Sequence, residues 1–284
     1  RFFKNKYTII SNDLLYSSYI LQMGTIENTD TPTFDKIRKV LNIEDVFDYL
    51  ENTDISKENF NKFIYENYSP NDNCERMYLT PENALRIDFI RNKIENWKNK
   101  ELITINEYYY LLASLIEGVP YVSNITGTYG AYLKQWDKRA FKKFELIRLN
   151  VIDNKSNNKC YNRNANELIK EIKGDILYLD PPYNERQYLP NYHLLETIAR
   201  YDNPEIKGKT GIRKYETEKS NYCIKNKVYN ELKELIKKAN FKHIIVSYNQ
   251  DGLLSEDEIK SILIDCGNED TYKLYKIPYT QYQN

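Results

Sequence analysis

Histidine is almost missing from this chain. His193 and His243 are its only two, too few for histidine-centred metal chemistry. Four cysteines, Cys74, Cys160, Cys223 and Cys266, stand far apart and form no C-x-x-C pair. That spacing excludes a zinc site or a disulfide framework and fits reduced thiols in a cytoplasmic protein. No apolar run approaches the roughly 18 residues of a membrane span, and no signal peptide is visible. An excess of one charge is lacking too: 41 Lys and Arg balance 41 Asp and Glu. An initiating methionine is missing, and Arg1 opens on what reads as the tail of a helix.

The neutral sum hides local charge. Between Lys207 and Lys227 seven basic residues face two acidic ones, and between Lys134 and Arg148 six face two. Asp35 to Glu66 leans acidic. A basic face is therefore expected within a neutral chain.

Patterning predicts a strand over Tyr7–Ser11 ending at Asp13, then a helix over Leu14–Met23. Helical periodicity dominates Thr33–Leu50 and Thr80–Trp97, where Pro81 suits a first helical position. Thr104 and Glu107 form a capping box for another helix. Tyr121–Gly130 reads as a polar loop and Ala131–Lys143 as a basic helix. Strands then alternate with helices: Phe144–Leu149, Lys159–Asn162, a helix from Asn164 to Lys173, the strand before Asp180, a helix near Asn191–Tyr201, another over Ile224–Ala239, a strand over Lys242–Tyr248, a helix capped by Ser255 and Glu258, and Tyr272–Ile277. Such alternation implies an α/β fold with an open sheet covered by helices on both faces. Residues 1–27 and 144–284 read as its core, and 28–143 as a mainly helical insertion.

The informative stretch is "GDILYLDPPYNERQY". A short apolar strand runs straight into Asp180, Pro181, Pro182 and Tyr183. At average proline usage of about 5%, such a tetrad arises by chance in a chain this long about once in a thousand. An ionised Asp only accepts hydrogen bonds, and a proline keeps its carbonyl but has no N–H. Asp180 and the Pro181 carbonyl are thus two fixed acceptors suited to an NH₂ group, with the prolines holding the backbone still. Tyr183 offers a ring face for a planar base. The set describes a cradle for an aromatic amine, able to free its delocalised lone pair for attack on an electrophilic methyl group.

On these residues the chain resembles the S-adenosylmethionine-dependent amino-methyltransferases, and more closely the Dam-like, alpha-type DNA adenine-N6 methyltransferases. "IISNDLLYSSY", "SNITGTYGAYLKQW", "NRNANELIKEIKGDILYLDPPYNERQY" and "HIIVSYN" follow that family's order along nearly the whole chain. The resemblance implies a Rossmann-like methyltransferase sheet with a helical target-recognition insertion. It implies S-adenosylmethionine as methyl donor, no metal, and a flipped-out adenine in duplex DNA as substrate. Asp180, Pro181, Pro182 and Tyr183 become the catalytic residues, and Asp13, Asn164 and Asp180 the cofactor contacts. Ser123, Asn124, Lys207, Lys209, Arg213 and Lys214 become candidate DNA contacts, and a cognate restriction endonuclease an implied partner. Three departures stand out. The family's F-x-G-x-G loop should precede Asp13, yet none of the nine glycines does. Asn164 stands where relatives usually carry Asp. A further strand is expected beyond Asn284, so the chain reads as cut at both ends. Cytosine-N4 or RNA-adenine methylation, using the same cradle, and a DNA-binding relic or specificity subunit are the alternatives.

Overall fold

The computed structural model describes residues 2–278. In chain order its principal elements begin with β1 (Ile10–Asn12), α1 (Tyr16–Gln22), α2 (Asp35–Leu41), α3 (Val46–Asn52), α4 (Phe63–Tyr68), α5 (Pro81–Asn99) and α6 (Ile105–Gly118). There follow β2 (Lys159–Tyr161), α7 (Ala165–Leu168), β3 (Lys173–Leu179), α8 (Tyr188–Arg200), β4 (Ile206–Lys207), β5 (Ile212–Arg213), α9 (Lys225–Lys238), β6 (Asn240–Val246) and α10 (Glu256–Cys266). They divide into two compact units, Arg1–Asn164 with Tyr188–Thr217, and Ala165–Gln187 with Glu218–Asn284.

The first unit is built on α5 and α6. Thr80 caps α5 by accepting from the Asn83 N–H at 3.3 Å, with Pro81 at the first turn. The capping box of Thr104 and Glu107 starts α6 as its sequence predicts. Leu111, Leu112, Leu115 and Ile116 on α6 are almost wholly buried, each stabilising the unit by about 1.5–3 kcal/mol relative to exposure. The turn after α1 lies so close to α6 that a Cβ on Gly24 would stand 2.6 Å from that of Ala113. Here β1 and β2 pair in parallel, Ser11 opposite Cys160. In the second unit β3 and β6 pair in parallel, Leu177 opposite Ile244 and Leu179 opposite Val246. These four residues turn to one face and pack on a core of Val228, Leu232, Leu235, Ile236 and Ile262 from α9 and α10.

The mixture of helices and parallel strands is as expected. Among the described residues the strands form three pairs, β1 with β2, β3 with β6 and β4 with β5. Several local expectations fail. The pattern over Thr33–Leu50 breaks into α2 and α3 at Asn42, which adopts φ 53°. Ala131–Lys143 forms only a single 3₁₀ turn, Lys138–Phe141. The Asn124 side chain and carbonyl bond to Leu133 and Asp137, taking groups that a helical ladder would use. Phe144–Leu149 alternates in burial only as far as Ile147, Arg148 being exposed and Leu149 buried, and among the described residues it has no strand partner. Its N–H groups go instead to Asn83, Glu51 and the Ser114 carbonyl. Among the described residues Tyr272–Ile277 likewise pairs with no strand. The helix expected from Asn164 to Lys173 shortens to α7, because Lys173 already belongs to β3.

Asp88, 2% exposed, caps α4 by accepting from the Ile64 and Tyr65 N–H groups at 3.0 and 2.8 Å. Burial outweighs those bonds and raises its pKa from 3.8 to about 8. The folded state thus keeps a proton that the unfolded chain gives up. The stability this contributes is full below pH 3.8 and lost as pH rises through about 8. Burial lowers the His193 pKa from 6.5 to about 4, an opposite dependence confined to that range. Thermal unfolding of the first unit is therefore expected to weaken by about 1–2 kcal/mol between pH 6.5 and 8. Asp88→Asn should flatten that slope; an unchanged slope would place its cause elsewhere.

Candidate active site

β3 ends because Pro181 has no N–H to offer a ladder. Its last rung is the Ser247 N–H donating to the Leu179 carbonyl at 2.8 Å. Asp180 comes immediately after, exposed at the carboxyl end of the strand. Among the described residues, neither its carboxylate nor the Pro181 carbonyl accepts a hydrogen bond.

The chain beyond the prolines is tied down. The Leu253 N–H donates to the Tyr183 carbonyl at 2.7 Å. Cys223 Sγ reaches the Arg186 carbonyl at 3.4 Å. The Gln187 side chain exchanges two bonds with the Ser220 backbone, at 3.1 and 2.8 Å. Tyr183 remains 37% exposed, its ring available for stacking. The clamping loop after β6 is itself fixed. Leu254 N–H donates to Tyr248 Oη at 3.3 Å, and Gly252 N–H to the Asn249 carbonyl at 3.0 Å. The Asn249 side chain accepts from the Asp251 N–H, so it serves this loop. Two acceptors thus sit on a backbone pinned on both sides.

Gly252 has no room for a side chain: a Cβ would lie 2.3 Å from Tyr248 Cε1 and 2.9 Å from the Asn249 carbonyl. Gly252→Ala is expected to cost about 1–3 kcal/mol by overpacking and to loosen the clamp on Tyr183. Hydrogen exchange across 247–254 should quicken; unchanged exchange would show that the loop absorbs the methyl group.

In the first unit, Asp13 comes directly after β1. Its N–H donates to the Tyr161 carbonyl at 3.2 Å, extending the parallel pairing. Asn162 Nδ2 donates to the Asp13 and Leu14 carbonyls at 2.8 and 2.9 Å. Asn12 and Arg163 exchange two bonds, at 3.0 and 3.1 Å. The Asp13 carboxylate accepts from the Leu15 N–H at 2.8 Å and from Ser18. Burial prevails over these bonds and lifts its pKa above the usual carboxylate value. A carboxylate has about four acceptor sites, so Asp13 retains capacity for a ligand's hydroxyls. Asn164 is exposed, directly ahead of α7.

Sequence reasoning missed one contributor. Glu196, fully buried on α8, accepts from both the Ser17 N–H and Oγ at 2.6 Å. Its other oxygen accepts from Arg200 Nε at 2.9 Å. Glu196 therefore holds the first turn of the helix after Asp13. His193, one turn earlier, is spent on the Tyr129 carbonyl at 2.8 Å.

The candidate DNA contacts divide sharply. Ser123 and Asn124 are fully buried. Ser123 Oγ donates to the Val119 carbonyl; Asn124 Nδ2 donates to the Met77 and Leu133 carbonyls, and its Oδ1 accepts from the Asp137 N–H. As folded they organise their loop and present no free polar group. Arg213 is buried and forks onto Asp202 at 3.0 and 2.5 Å, so direct phosphate contact by Arg213 is corrected to a structural ion pair. Lys207 and Lys214 stay exposed, both paired to Glu205. Lys209 is exposed in the turn between β4 and β5. Among the described residues no group of three or more His, Cys, Asp or Glu is placed to hold a metal, and no helix is long and apolar enough to cross a membrane.

Comparison with known proteins adds a family. The family model for D12 class N6 adenine-specific DNA methyltransferases matches residues 1–262. The chain is 55% identical over 284 residues to the Type II methyltransferase M.FokI of Planomicrobium okeanokoites, covering 99% of this chain and 43% of that protein. It is 44% identical over 283 residues to the modification methylase StsI of Streptococcus sanguinis, covering 100% and 43%. It is 38% identical over 288 residues to the Type II methyltransferase M.NlaIII of Neisseria lactamica, covering 100% and 82%. The chain thus spans less than half the length of the first two relatives. No solved structure matches.

Proposed function

The chain belongs to the D12 class N6 adenine-specific DNA methyltransferases, and from that premise we propose that the protein methylates the exocyclic amine of adenine in duplex DNA. It does so as the modification partner of a cognate restriction endonuclease. The observation that carries the reading is the pair of unshared acceptors, Asp180 and the Pro181 carbonyl, on a backbone clamped at Leu179 and Tyr183.

Adenine's amine lies inside the stack of a duplex, so the base must be flipped out to reach them. Its two N–H groups donate to the Asp180 carboxylate and the Pro181 carbonyl, while Tyr183 stacks on the ring. Both acceptors draw the nitrogen toward a tetrahedral shape and localise its lone pair. Bound S-adenosylmethionine supplies an electrophilic methyl group whose sulfur keeps the bonding pair on transfer. The Asp180 carboxylate stabilises the positive charge that develops on nitrogen and takes the surplus proton, which its exposure lets solvent remove. Asp13 accepts from the cofactor's ribose hydroxyls, and Asn164 from its adenine amine.

For the fold, we hold that a Rossmann-like methyltransferase sheet with helices on both faces underlies the catalytic core, 1–27 and 144–284. Its support is two parallel strand pairs, each with an acid directly after a strand, Asp13 and Asp180. Residues 28–143, which hold no named strand, form the target-recognition insertion.

The test is to incubate full-length protein with duplex DNA and methyl-labelled S-adenosylmethionine, then digest to nucleosides. Label should appear in N6-methyladenine. Label on cytosine, or none with cofactor demonstrably bound, would overturn the reading.

A further inference from the structure

A groove of about 860 Å³ opens in the first unit between the start of α5 and residues 136–144. It is held open by Asn83, which is 4% exposed. Asn83 Nδ2 donates to the Ala140 and Lys142 carbonyls at 3.0 and 2.9 Å, and its Oδ1 accepts from the Phe144 N–H at 3.0 Å. The groove is therefore fixed by its own hydrogen bonds before any ligand arrives, which lowers the ordering cost of binding.

Its walls combine aromatic rings with cations. Trp136 and Phe141 meet with centroids 5.7 Å apart, and Phe141 is 64% exposed. Phe141 thus offers a large exposed ring at the edge of a mostly apolar groove. Lys142 is exposed on the wall, and Lys143 bonds to Asn52 Oδ1. Arg86, also on the wall, donates to the Leu50 and Thr53 carbonyls and keeps its charge near the groove. Lys134 and Lys138 stand exposed in the adjoining chain. Glu82 is the one acid in the lining, and Asp137 is taken by Arg139. The excess of cations complements a polyanion, and exposed rings between cations suit a nucleobase.

We propose that this groove is a DNA-holding subsite, in which Phe141 and Trp136 stack on a base or sugar of the bound DNA while Lys138 and Lys142 contact its phosphates. The proposal rests on the DNA reading above and adds a contact that supplies affinity and positions the strand. It assigns DNA contact to 136–142, inside the basic run from Lys134 to Arg148, whereas the family resemblance points to Ser123, Asn124 and the 207–214 segment.

Full-length protein is irradiated with a mixed-sequence duplex carrying 5-bromouracil, and the cross-linked peptides are identified by mass spectrometry. The cross-link should fall on the peptide holding Trp136 or Phe141. In parallel, anisotropy with the same duplex gives affinities for Phe141→Ala and Lys142→Ala; both side chains are exposed, so the variants keep their fold. Phe141→Ala should weaken binding about ten-fold. Lys142→Ala should reduce the slope of log affinity against log salt by about one. Unchanged affinity and slope, with cross-links only elsewhere, would overturn the proposal while leaving DNA methylation standing. Failure of the unmodified protein to bind DNA would overturn both.

Discussion

Asp180→Ala is expected to slow methyl transfer by about a hundred- to a thousand-fold, with DNA affinity and thermal stability unchanged. The reason is local. Asp180 is exposed and, among the described residues, nothing in the fold depends on its carboxylate. Its removal would subtract one of the two proposed acceptors from the amine and the charge proposed to meet the cation that forms on nitrogen. Asp180→Asn keeps an acceptor oxygen and loses the charge, so it should fall between alanine and the unmodified protein. Single-turnover rates at saturating cofactor and DNA separate these effects from binding. Substantial turnover by the alanine variant would contradict the two-acceptor account.

Asp13→Ala should act on a different quantity. Hydrogen bonds to a charged group contribute about 1.5–3 kcal/mol each, so loss of two should lower cofactor affinity about a hundred- to ten-thousand-fold, with the rate at saturating cofactor little changed. A pH dependence accompanies it. In the proposed contact the ionised carboxylate would accept two hydroxyls, and protonation would turn one oxygen into a donor. Burial raises the Asp13 pKa above 3.8. Cofactor affinity is therefore full above that raised pKa and lost as pH falls through it, sooner than an ordinary aspartate would allow. Titration calorimetry across mildly acidic pH reads this directly. An Asp13→Asn variant that kept the same acid-side loss would assign the dependence to another group.

The position of the candidate site in the fold is legible where its signal is local. Four adjacent residues after an apolar strand announce Asp180–Tyr183, and Asp13 stands after its strand in the same way. Capping residues foretold α5, α6 and α10 because a cap is read within four positions. The expectations that failed depended on distant partners. Ala131–Lys143 has helical periodicity, but the Asn124 side chain claims its backbone. Phe144–Leu149 reads as a strand and lies against helices. Glu196 joins Ser17 across 179 positions, and no short pattern signals such a pair. Arg213 looked like part of a basic run because its partner Asp202 lies outside that run. One signal was present and unused: Gly208 and Gly211 adopt φ 68° and 73° and turn the chain between β4 and β5. Glycines at that spacing in a charged segment could have indicated a hairpin.

The central claim is geometric, and a crystal structure of the full-length protein with duplex DNA and a non-transferring S-adenosylmethionine analogue tests it most directly. The account predicts an extrahelical adenine whose amine lies within hydrogen-bond distance of both the Asp180 carboxylate and the Pro181 carbonyl, its ring against Tyr183. An extrahelical adenine held by other acceptors, with the Asp180 side chain turned to solvent, would contradict it.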